Sequence, residues 1–167
     1  FDLNQAKLHG LIKQVDIGLI DHDTLWSEFA RMSGRGLIEI TNRLQEFDGL
    51  DRGLLTYIEE LKTQYKTGII SNVGQGFIEK MFVDKPVEHY FDTVVLSSSV
   101  GLVKPDARMY QLAARNIGCD PEECVFIDDI QKNVDGAELT GMRGILYAHL
   151  SQLKSDLRSI LVADMND

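Results

Sequence analysis

From Thr67 onward, short apolar runs alternate with stretches whose apolar residues recur three or four positions apart. That is the pattern of βαβ units feeding a parallel sheet. Four runs predict strands: Gly68–Ser71, Thr93–Ser97, Cys124–Asp128 and Gly144–Tyr147, each rich in β-branched or aromatic residues and too short for a helix. Between them, Leu54, Ile58, Leu61 and Tyr65 predict one helix, and Met109, Leu112, Ala113 and Ile117 a second. Val134 and Ala137 lead a third that stops at Gly141, and Pro105 is expected in the first turn of the second. Leu150, Leu153, Leu157, Ile160 and Leu161 carry a helical spacing to the end of the sequence. Residues 1 to 50 hold no strand-like run; Leu25, Trp26, Phe29 and Ala30 form one helical stripe, and Leu37, Ile38, Ile40 and Leu44 another. The Phe47-Asp48-Gly49-Leu50 turn is the expected boundary, giving a helical segment over 1–50 and an α/β core over 51–167.

Composition narrows the function classes. A chain of 167 residues, 44% hydrophobic, buries a substantial core without metals or disulfides. Its formal charge of −9 disfavours nucleic acid and anionic membranes as partners. The apolar runs fall well short of the roughly 20 residues of a membrane-spanning helix, and no signal-peptide pattern opens the sequence, so a soluble cytoplasmic protein is expected. Cys119 and Cys124 read as reduced thiols beside a strand, and the four histidines show no metal-ligand spacing.

The polar residues worth singling out stand at predicted strand ends, where a doubly wound sheet binds its ligands. Ser71 and Asn72 close the first strand; a hydroxyl with backbone amides there suits a phosphoryl oxygen, or the pair simply turns the chain. Gly74 and Gly76 also invite a dinucleotide loop, but Glu79 stands where its third glycine belongs. Lys104, at the predicted start of the second helix, would add its ammonium to the positive end of the helix dipole and neutralise an anion, or lie solvated. Asp128 and Asp129 end the most apolar strand. Adjacent carboxylates there are costly unless a cation is near, so they are Mg2+ candidates, with capping of the next helix the alternative for Asp129. Asn133 and Asp135 could add a ligand or face water. Asp21-His22-Asp23-Thr24 reads as a helix N-cap with an acid in the first turn.

Strand-Ser71-Asn72, Lys104-Pro105-Asp106 and strand-Asp128-Asp129, spaced by 33 and 24 residues, resemble the second, third and fourth motifs of the haloacid dehalogenase-like (HAD) hydrolase superfamily. Ile69-Ile-Ser-Asn, Phe91-Asp92, Ser97, Gly101-Leu-Val-Lys-Pro-Asp, Tyr110 and Phe126-Ile-Asp-Asp with Asn133, Ala137 and Gly141-Met142 are similar to its phosphatase-type branch with a helical cap. The resemblance is strong over residues 50 to 150, and residues 1–50 look like the latter part of the cap. It implies a Rossmann-like parallel sheet flanked by helices and phosphate monoester hydrolysis through an aspartyl-phosphate. Ser71, Asn72 and Lys104 would bind phosphate, with Lys104 also catalytic, and Asp128 and Asp129 would bind Mg2+; the substrate would be a small phosphorylated metabolite. A bacterial receiver domain uses similar groups, but its acidic pair comes first in the chain and its lysine last.

The family's first motif, a buried strand ending in Asp-x-Asp, carries the nucleophile. It is missing from this sequence: Phe1-Asp2-Leu3-Asn4 has no apolar run before it, and Ile160-Leu-Val-Ala-Asp164-Met-Asn166, which would suit a circular permutation, continues a helical spacing. Two expectations follow. The chain lacks an upstream βα segment and is inactive as written, or it is a non-catalytic module that binds a phosphorylated ligand or a protein. Since that motif's strand lies between the strands ending at Ser71 and Asp128 in the family, two sheet edges should be left unpaired, open to self-association.

Overall fold

The computed structural model describes residues 3–39, 50–74 and 76–164. In chain order these form α1 (Leu3–Asp16), α2 (His22–Ser33), α3 (Arg52–Lys62), β1 (Gly68–Ser71), α4 (Phe77–Met81), α5 (Val87–Tyr90), β2 (Thr93–Leu96), α6 (Ser97–Val100) and α7 (Ala107–Ile117). A 3-10 turn (Pro121–Glu123), β3 (Val125–Asp128), α8 (Gln131–Glu138), β4 (Arg143–Leu146) and α9 (Leu150–Asp164) follow. Residues 37–39 are helical; Ile40, Leu44 and the 47–49 turn lie outside the described residues, as do Phe1, Asp2 and Asn166.

The strands are parallel and pair as two separate couples. Gly68 to Ser71 run in register with Thr93 to Leu96, and Val125 to Asp128 with Arg143 to Leu146. Among the described residues, β1 and β3 have no strand between them.

Alternation along the strands sorts the core into layers. Phe126 turns towards α7 and α8, packing with Tyr110, Ala114, Ala137 and Met142, while its neighbours Val125 and Ile127 face a second layer with Ile145, Leu153 and Leu157. Leu54, Tyr57 and Leu61 of α3 close that layer. Val95 of β2 packs on Met109 and Ala113 of α7, and Ile70 of β1 touches both α7 clusters. One helix therefore spans both strand pairs.

Several sequence expectations are corrected. Ser97 begins α6 instead of ending β2, because its buried hydroxyl accepts from Val73 N at 2.9 Å and so turns the chain at the sheet's end. Cys124 caps the 3-10 turn through its own N–H and precedes β3. The fourth strand starts at Arg143, whose N–H bonds Cys124 O. Pro105 stands outside α7, whose N-cap is Asp106 accepting from Arg108 N; Lys104 is therefore not in that helix's first turn. The C-terminal helix is present as expected, with Ile160 to Asp164 inside it. No helix among the described residues is long and apolar enough to cross a membrane.

Candidate functional site

The site lies at the carboxyl ends of β1 and β3, and its centre is an ion pair. Lys104 Nζ donates to Asp128 Oδ2 at 2.6 Å, with the two side chains only 12% and 6% exposed. Lys104 reaches this position from the loop before α7 instead of joining the helix dipole, and it also lies over the Phe126 ring, 5.6 Å from its centroid. Gly136 of α8 lets that loop descend: a Cβ there would meet Pro105 Cβ at 2.6 Å and Pro105 O at 3.0 Å.

Asp128 is fixed from its other oxygen. Its Oδ1 accepts from Ile130 N at 2.9 Å and from Asn133 Nδ2 at 3.0 Å. Burial pushes the Asp128 carboxyl up, but the hydrogen bonds from Lys104, Asn133 and the Ile130 N–H outweigh it and hold the group below the usual aspartate value. Asn133, buried in the first turn of α8, does not face water as a surface residue would, and its Nδ2 is spent on Asp128. Tyr110 continues the chain of contacts, donating its hydroxyl to Asn133 O at 2.8 Å from full burial. Both residues stand out in the sequence, Asn133 as a possible added ligand and Tyr110 within the family resemblance, but their link to each other and to Asp128 is a long-range contact that the sequence pattern does not show.

Asp129 is exposed, and it does not cap α8, whose N-cap is Ile130 with no side-chain bond. Ser71 ends β1, half-buried. Asn72 follows it, its carboxamide bonded to the Lys104 main chain at both ends, and Val73 is tied to Ser97. The structure thus brings the Ser71–Asn72 turn, Lys104 and Asp128 together.

The helical segment reaches the same turn. Gly74 is buried, and a Cβ there would collide with Val15 Cγ1 and with His22 Cε1 at 2.6 Å. His22 in turn stacks on Phe77, ring centroids 5.3 Å apart. Close packing against α1 and α2 therefore accounts for this glycine. Asp21 caps α2 as expected, accepting from Thr24 N at 2.8 Å.

For a cation, the donors on offer are hard oxygens. A carboxylate has about four acceptor positions; Asp128 uses two on Oδ1 and one on Oδ2, leaving one on Oδ2, and Asp129, the next residue, is exposed. No group of three or more His, Cys, Asp or Glu among the described residues could hold a metal. Two carboxylates fit Mg2+, which is usually held by one or two carboxylates together with phosphate oxygens and water.

Parallel strands under helices, with a hydroxyl turn and an aspartate pair at their carboxyl ends and a loop lysine reaching one of those aspartates, define an α/β protein with a polar cluster at the strand ends. Residues 22–147 match the haloacid dehalogenase-like hydrolase family, and the chain belongs to it. Similar curated proteins include a glyceraldehyde 3-phosphate phosphatase of Methanothermobacter thermautotrophicus, 35% identical over 60% of this chain and 46% of its own length. A phosphoserine phosphatase of Thermus thermophilus is 41% identical over 46% of this chain and 31% of its own. The chain thus spans less than half the length of these relatives. In fold it is similar to a HAD-family enzyme of Bacteroides thetaiotaomicron crystallised with magnesium and inorganic phosphate, TM-score 0.71 at 21% identity, over 90% of this chain and 84% of that one.

Proposed function

We propose that this chain is the phosphate- and metal-binding part of a Mg2+-dependent phosphatase acting on a small phosphorylated metabolite, in the cytoplasm. The observation that carries the reading is the convergence of the Ser71–Asn72 turn, Lys104 and Asp128 at the ends of two parallel strand pairs. The Ser71 hydroxyl and the main chain at Asn72 on the β1 side and the Lys104 ammonium on the other would hold the phosphoryl oxygens, fixing the phosphorus for in-line attack. Asp128 and Asp129 would hold Mg2+, which neutralises charge on those oxygens. Residues 1–50 would act as part of the cap that selects the substrate. The attacking carboxylate belongs to a motif that these 167 residues do not contain, so the chain as written binds without turning over.

Calorimetry of the 167-residue chain with inorganic phosphate, with and without Mg2+, tests this. Binding that Mg2+ strengthens and Lys104→Met weakens is expected; no binding in either condition overturns the reading. With an aryl phosphate and Mg2+, no turnover is expected. Mg2+-dependent hydrolysis that Asp128→Asn abolishes would show that a nucleophile is present after all.

The separate strand pairs favour a second reading, a non-catalytic binding module whose sheet is completed by another strand or by self-association. Solution mass separates the two: a well-folded monomer counts against self-association.

A further inference from the structure

Asn72 has two hydrogen-bonding ends, and both go to the same partner. Lys104 N donates to Asn72 Oδ1 at 2.8 Å, and Asn72 Nδ2 donates back to Lys104 O at 3.2 Å. A carboxamide and a main-chain segment matched in this way close on each other. Asn72 stands just past β1, whereas the ammonium of Lys104 lands on Asp128 at the end of β3. The turn after β1 therefore grips the backbone of the residue whose side chain reaches the other strand pair. Underneath, Gly136 seats Pro105, and Asp106 N bonds Val103 O at 2.9 Å, so the loop is held on both sides of Lys104. For its carboxamide to turn both ends to a phosphoryl oxygen, Asn72 would have to release Lys104.

We infer that Asn72 is a positioning residue, one that acts on the bound phosphoryl group through Lys104 by fixing the main chain from which the ammonium projects. The inference rests on the proposed phosphate site and refines it.

A double-mutant cycle on the 167-residue chain, with inorganic phosphate and Mg2+ as the probe, separates this role from direct contact. Asn72→Ala is expected to weaken binding about fivefold when Lys104 is present and less than about twofold in a Lys104→Met background, because the two residues act in series. Equal losses in both backgrounds would mean that Asn72 touches phosphate itself and would overturn the inference. Hydrogen exchange at the Lys104 amide, followed by NMR, is the second readout. Exchange should speed up about tenfold or more in Asn72→Ala and stay slow in Asn72→Asp, which keeps the Oδ1 acceptor and the shape. An unchanged rate in Asn72→Ala also overturns the inference, and if that variant does not fold, fast exchange in Asn72→Asp does so. Should the wild-type chain bind no phosphate, the proposed function fails while the amide readout still decides whether Asn72 holds Lys104.

Discussion

Lys104 and Asp128 form an almost buried ion pair, 2.6 Å from Nζ to Oδ2, that joins the loop before α7 to the end of β3. Its members depend on each other: the ammonium offsets the burial that would otherwise push the Asp128 carboxyl up.

Removing one partner should therefore cost more than removing both. Lys104→Met leaves Asp128 with only Asn133 and Ile130 N as partners and is expected to lose about 3 kcal/mol of stability. The double variant Lys104→Met, Asp128→Asn should recover most of that loss. Urea unfolding of the wild type, Lys104→Met, Asp128→Asn and the double variant checks this, and additive losses would contradict it.

Tyr110 gives a pH dependence with a defined sign. Burial, with a smaller contribution from the Asp128 charge, pushes its hydroxyl up to about 12, whereas an unfolded tyrosine ionises near 10. Because the folded state keeps the proton longer, stability from this group is intact below pH 10 and is lost as the pH rises towards 12. Tyr110→Phe should flatten that part of the stability curve. It should also remove a late-ionising phenol from the ultraviolet titration.

Gly136→Ala tests the seating of the lysine loop. A methyl group placed 2.6 Å from Pro105 Cβ and 3.0 Å from its carbonyl must move backbone, so a loss of about 1–3 kcal/mol is expected. Amide chemical shifts should change around Lys104. A shift pattern confined to α8 would show that the loop does not depend on this contact.

The second face of β3 and β4 depends on α9. Leu153, 1% exposed between Ile145 and Leu157, is expected to cost about 3 kcal/mol on truncation to alanine, with an unchanged denaturant slope.

What the sequence made legible follows from how local each signal is. Strand runs such as Val125–Asp128 and helical stripes such as Leu150 to Leu161 depend on neighbours two to four positions away, and the elements stand where those patterns put them. Ser71 and Asp128 stand at the strand ends where those runs put them, for the same reason. Long-range contacts were not legible. The hydroxyl of Ser97 interrupts β2's apolar run because Val73, 24 residues away, needs an acceptor. Gly74 invited a dinucleotide loop that Glu79 already argued against, and its actual reason, crowding by Val15 and His22 of the helical segment, is not written in its neighbours. Asn72 carried no sign that Lys104, 32 residues on, would occupy both of its ends.

Helix α7 has consequences for the order of assembly. Each strand pair closes over a short stretch of chain, but Met109 serves one pair and Tyr110, its neighbour, the other. Pairing of either couple alone closes a short loop and is expected early, while docking α7 commits both at once. Met109→Ala should then slow refolding more than it speeds unfolding, whereas Leu153→Ala should act mainly on unfolding, in stopped-flow measurements of both limbs. The helix that spans the interrupted sheet would then also set the pace at which the molecule folds.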